Sequence, residues 1–122
     1  MAKYVDSFII PVPKKNLKLY KKMAEMSAKS WMKHGALEYV ETLADDVAKG
    51  KITSFPRSVK LKPSETVAFG YAVYKSRAHR DRVVAKVMSD EDLRKVWDSM
   101  PFDGMRMIWG GFKSIVAKSS KE

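Results

Sequence analysis

Apolar positions alternate from Tyr4 to Val12, with Tyr4, Phe8, Ile10 and Val12 on one side of an extended chain and Val5, Ser7 and Ile9 on the other. Both sides are largely apolar, so this strand is expected to be covered twice, by helices on one face and by a second sheet on the other. Pro11 and Pro13 end it. The period then lengthens. From Asn16, a helix-capping residue type, Leu17, Tyr20, Met23, Ala24, Ser27, Ala28 and Trp31 recur at three- and four-residue steps. Lys18, Lys22, Glu25, Lys29 and Lys33 take the opposite face, and Gly35 after His34 supplies a helix stop.

Ala36 to Leu43 returns as a strand with Leu37, Tyr39, Glu41 and Leu43 on one face and Glu38, Val40 and Thr42 on the other. The polar stretch from Asp45 to Lys51, with Gly50, reads as a turn, and Ile52 to Pro63 as an excursion long enough to be functional or interfacial. Thr66 to Tyr74 is the clearest strand: Val67, Phe69, Tyr71 and Val73 are large, while Ala68, Gly70 and Ala72 opposite them are small. Ser76 is placed to cap a second helix carrying His79, Val83 and Val87. Ser89, with Asp92 three residues on, is read as the cap of a short helix bearing Leu93, Val96, Trp97 and Met100, which Pro101 closes. After Asp103-Gly104, Met105 to Val116 reads as a last strand in which Gly110-Gly111 marks a bulge or a close backbone approach.

The order β-α-β-β-α-β is the split βαβ plan, so the expected fold class is α+β, ferredoxin-like, an antiparallel sheet with both helices on one face. One domain is expected over residues 1–117, with 118–122 a frayed tail. Such a plan leaves the second sheet face bare, although the strands carry apolar residues there. A second copy of the chain packed sheet to sheet is the simplest cover, and a homodimer is expected.

Composition adds little to the fold and more to the partners. The 122 residues are 45% hydrophobic and contain no cysteine, which excludes disulfides and thiolate metal sites and suits a cytoplasmic address. The N-terminal residues lack the order of a signal peptide and no apolar run is long enough to span a membrane. Lys and Arg exceed Asp and Glu by 24 to 14, a net charge of +10, which attracts nucleic acid, acidic lipid and anionic metabolites alike.

Several blocks resemble one family. They are Tyr4-Val5-Asp6, Pro11-Val12-Pro13-Lys14-Lys15-Asn16, His34-Gly35-Ala36-Leu37-Glu38-Tyr39-Val40-Glu41, Thr53-Ser54-Phe55-Pro56 and Ser58-Val59-Lys60-Leu61-Lys62. They continue through Tyr74-Lys75-Ser76-Arg77-Ala78-His79-Arg80-Asp81-Arg82-Val83, Met100-Pro101-Phe102-Asp103-Gly104, Arg106-Met107 and Gly110-Gly111-Phe112. In these the chain is similar, nearly end to end, to the YbaA-like bacterial proteins, a family whose domain has no assigned function. The resemblance implies the dimeric α+β-barrel superfamily, which includes small monooxygenases, haem-degrading enzymes, isomerases and stress-responsive dimers. It implies no particular activity.

Candidate chemistry is sparse. His34 and His79 are the only histidines and are the candidate proton-transfer groups for a pocket between sheet and helices; the plainer reading is that His34 eases a helix C-terminus and His79 packs or hydrogen-bonds locally. No HExxH pattern, nucleophile elbow or phosphate-cradling loop is present, and neither metal nor cofactor is expected. Tyr39, Tyr71, Trp31 and Trp109, with Arg106 as an anion holder, are candidate walls for a flat small molecule, set against core or interface roles. Lys75, Arg77, Arg80, Arg82 and Lys86 form a basic cluster that can meet nucleic-acid phosphates or simply face water.

Overall fold

The long strand β1 (Tyr4–Pro13) lies between two neighbours, pairing antiparallel along its whole length with β3 (Glu65–Tyr74) and, from Tyr4 to Ile9, with β4 (Ile108–Lys113). The strand β2 (Glu38–Leu43) completes the sheet on the other side of β3, so the order is β2-β3-β1-β4 with every pair antiparallel. The computed structural model describes residues 2–99 and 101–120. The expectations for Met1, for Met100 in the short helix and for the last two residues of the tail lie outside them.

Three helices cover one face: α1 (Leu17–Lys33), with the short α2 (Phe55–Ser58) set apart from it, then α3 (Arg77–Met88) and α4 (Glu91–Trp97). The helix order and the antiparallel sheet are those of the ferredoxin-like α+β fold, with the second helix broken in two. Tyr20, Met23, Ser27 and Ser30 form the buried stripe of α1, and Gly35 follows the helix with φ +109°, a conformation that favours glycine. Tyr20 and Met23 close over Ile10, Val12 and Ala68, while Val83, Val87 and Leu93 pack against Tyr4, Ala72 and Tyr74.

Three local expectations change. Ser76 caps α3 by accepting from the His79 amide at 3.1 Å, but Ser89 ends that helix rather than starting the next; its hydroxyl donates back to the Ala85 carbonyl. Asp90 is the cap of α4, accepting from the Leu93 amide and, at 2.8 Å, from the Ser30 hydroxyl, which ties α4 to α1. Asn16 precedes α1 without capping it, because its amide donates instead to the Pro101 carbonyl. The last strand is shorter than Met105 to Val116: Asp103 turns the chain by accepting from the Met105 and Arg106 amides, and β1 has ended where Lys113 pairs with Tyr4. Its pairing runs without a bulge through Gly110 and Gly111. Gly111 is instead a close approach, since a Cβ there would collide with Tyr4 and Arg80.

The excursion is ordered and anchored by Arg106. Its guanidinium donates to both oxygens of Glu65 at 2.8 and 2.6 Å, to Asp103 at 2.9 Å and to the Lys60 carbonyl at 3.0 Å. Arg106 thereby holds the Glu65 carboxyl below the usual carboxylate range. A carboxyl with a lowered folded-state pKa contributes stability that is complete above its unfolded value, near pH 4.5, and is lost as pH falls through the lowered one. Arg106→Ala is therefore expected to lower the melting temperature by several degrees at pH 7, and by progressively less as pH falls below 4.5. Melts across that range check it; an equal loss at both ends would assign Arg106 a packing role alone.

Candidate functional site

The sheet's inward face is uneven because, ahead of Tyr74, β3 contributes the small Ala68, Gly70 and Ala72 to it, beside larger residues on β1 and β2. The Phe8 ring lies over Gly70, where any Cβ would strike it. Above this low floor the helices leave a cavity of about 360 Å³. Met23, Ser27 and Trp31 of α1, Val84 and Met88 of α3, and Trp97 of α4 roof it, and Tyr39 and Glu41 of β2 close one side. Trp109, at the edge of the sheet, forms the opposite rim. The rings are contiguous: Tyr39 and Trp31 lie 5.2 Å apart between centroids, Trp31 and Trp97 6.1 Å, and Phe8 and Tyr39 6.5 Å.

Two carboxylates interrupt this apolar lining. Glu41 accepts from the Tyr20 hydroxyl at 2.5 Å and from the Tyr39 hydroxyl at 2.7 Å, one to each oxygen. Burial raises its pKa despite those donors, and the neighbouring carboxylate and burial together hold both phenols firmly protonated. Asp6 lies one row along on β1. Its carboxyl is also raised by burial, while Tyr74, which accepts from the Trp31 indole at 2.8 Å, and Arg80 oppose that rise. Arg80 Nε faces Asp6 Oδ1 at 3.4 Å, an ion pair too long and misaligned to be a hydrogen bond, and both atoms are buried without another partner. The same guanidinium donates to the Tyr4 hydroxyl at 3.0 Å and sits 5.1 Å from that ring's centroid.

The structure brings Tyr39, Trp31 and Trp109 together at this cavity, with Arg80 of the basic cluster in its wall, and leaves the other expected residues elsewhere. His34 follows α1 and lies with Lys33, Lys86 and Asp90 in a shallow depression outside it. His79 is turned back on its own helix start, its Nδ1 accepting from the Lys75 amide at 3.0 Å and its ring edge-on to Tyr74. Arg106 is bound to Glu65 and Asp103, away from the cavity, and Tyr71 points from the outer face toward Glu38. Of the basic cluster, Lys75, Arg77, Arg82 and Lys86 are exposed, whereas Arg80 turns inward to the cavity wall. Among the described residues no three His, Asp, Glu or Cys side chains gather as a metal site.

Glu41 and Asp6 are the chemistry that reasoning from residue types passed over, and Arg80 was expected only as part of a basic surface. Both carboxylates were visible as single charges on strand faces otherwise occupied by apolar side chains, Glu41 between Tyr39 and Leu43 and Asp6 between Tyr4 and Phe8. A charge at an inward position needs a partner and marks a site or a strut.

The sheet order and the helix-covered cavity define a ferredoxin-like α+β protein with an aromatic pocket between sheet and helices. The chain belongs to the family described as "Protein of unknown function (DUF1428)", whose profile matches residues 3–104. It is 44% identical over 114 residues to the uncharacterised protein YbaA of Escherichia coli K12 and, equally, to that of Shigella flexneri, covering 93% of this chain and 97% of each relative. Among solved structures it is similar to a dimeric ferredoxin-like protein from an uncultured marine organism, at 12% identity and a TM-score of 0.61, over 98% of this chain and 99% of that one. It is also similar to SnoaB, a cofactor-independent oxygenase from Streptomyces nogalater, at 9% identity and a TM-score of 0.58, over 94% and 95% of the two chains. These structural likenesses concern the fold. No described helix is long and apolar enough to cross a membrane.

Proposed function

We propose that the protein is a cytoplasmic homodimer, paired through the outer faces of its sheets as a dimeric α+β barrel, in which each chain binds a small, flat organic molecule in its own cavity. The observation that carries this reading is the aromatic cavity, open at its rim, with a tyrosine-held carboxylate at one side, a volume and lining suited to a small ligand. The pairing is supported by the apolar outer face, where Ile108 and Phe112 of β4 are 42% and 59% exposed, and by Ile115 just beyond, which is 98% exposed.

Tyr39 and Trp109 serve as walls in this reading. If the bound molecule is transformed, Glu41 rather than His34 or His79 is the proton acceptor, because it lies in the cavity with fixed donors and a raised pKa and, unlike Asp6, is not paired with Arg80. SnoaB shows that this fold can house chemistry without a cofactor, which is compatible with the reading but does not carry it. Native mass spectrometry of the gently purified protein is expected to give twice the 13.9 kDa chain mass with a small adduct on each chain. A monomer overturns the pairing. Co-purifying RNA that is lost at high salt would instead assign function to the exposed Lys75, Arg77, Arg82 and Lys86.

A further inference from the structure

Three charged side chains face the cavity: Asp6 from β1, Glu41 from β2 and Arg80 from α3. Arg80 and Asp6 offset one another, and the same guanidinium donates to Tyr4 and forms a second ion pair, with Asp81, at 3.3 Å. Among the described residues Glu41 has no such counter-charge. Its two hydrogen bonds come from neutral phenols, and burial disfavours its ionised form. With Glu41 ionised, the cavity therefore carries one uncompensated negative charge inside a protein whose net charge is +10.

The walls reinforce that sign. Tyr39, Trp31 and Trp97 form a run of rings beginning beside Glu41, and aromatic faces carry the negative end of the ring quadrupole. A neutral guest would leave the carboxylate uncompensated and desolvate it further. An anionic guest would meet like charge and find Arg80 already engaged. A cationic guest supplies the missing charge and the preferred partner of the ring faces together.

We propose that the cavity selects an organic cation, a compact protonated amine or quaternary ammonium attached to an apolar group, with its positive centre against Glu41 and beside the Trp31 and Tyr39 rings. This rests on the reading of the cavity as a ligand site and adds the charge class of the ligand. The whole-protein field opposes cations at long range, so added salt removes a repulsion while leaving the buried contact little affected. Affinity for the cation is then unchanged or improved by salt, opposite to the behaviour of a cation held at a surface carboxylate.

The test uses three probes of similar size, 2-phenylethylamine, 2-phenylethanol and 3-phenylpropionate, titrated at neutral pH against the fluorescence of Trp31, Trp97 and Trp109. The amine is expected to bind about tenfold or more tighter than the alcohol, with the carboxylate weakest, and to keep its affinity from low salt to 0.5 M, a range over which the screening length falls to about 4–5 Å. In Glu41→Gln the amine and the alcohol are expected to converge, with binding of the alcohol showing that the variant's cavity is intact. Equal binding of amine and alcohol by the native protein overturns the charge selection and leaves the ligand site standing, whatever the variant's folding. So does a preference that disappears with salt. Failure of all three probes to bind overturns the ligand site and the inference with it.

Discussion

Ile108→Asp combined with Phe112→Asp is expected to give a folded 13.9 kDa monomer, where the proposed pairing makes the native protein a dimer. Both side chains stand on the outer face of β4, opposite Ile9 and Val5 of β1, and both are well exposed in the single chain, so neither contributes much to its core. Sheet-to-sheet pairing would bury them, and each unpaired carboxylate taken out of water costs several kcal/mol. Two in each chain exceed what a dimer of this size can absorb. Light scattering at micromolar concentration reads the mass, and an unchanged far-ultraviolet circular dichroism spectrum shows that the fold is kept. A persistent dimer would move the interface to another surface.

Gly70→Val is expected to lower stability by about 1–3 kcal/mol, the usual range for an overpacked interior, and the melting temperature by about 5–10 °C. Valine suits a strand, so propensity favours the change; the loss comes from the Phe8 ring, which occupies the space a side chain would need. Adding Phe8→Ala is expected to recover part of the loss, because two substitutions that share one space are not additive. Calorimetry on the two single variants and the double closes the cycle. An additive result would place Phe8 away from Gly70.

Strand and helix periods, and the helix start at Ser76, were legible because each depends on neighbours within a turn or two. The large-small alternation of β3 even announced an uneven sheet. What was not legible depends on residues far apart in the chain. Arg106 has the chemistry of an anion holder, but its anion is Glu65, 41 residues away, and no spacing rule reveals that the two meet. Arg80 reads as one more cation of α3 until β1 places Asp6 beside it. His34 and His79 invited a catalytic reading by side-chain type alone, whereas the backbone around them decides where their rings go. Glu41 was the residue most open to discovery, since a lone acid on an inward strand face is a question that only the opposing helix, through Tyr20, answers.

The alternation along β3 has a further consequence. Its even-numbered residues set the depth of the cavity and its odd-numbered ones, Val67, Phe69, Tyr71 and Val73, belong to the other side of the sheet. One strand thus writes two surfaces in interleaved letters. On the proposed reading, substitution at Ala72 would reshape the cavity and leave the pairing face alone, and substitution at Phe69 would do the reverse. Relatives that share this strand are free to diverge in one property without disturbing the other.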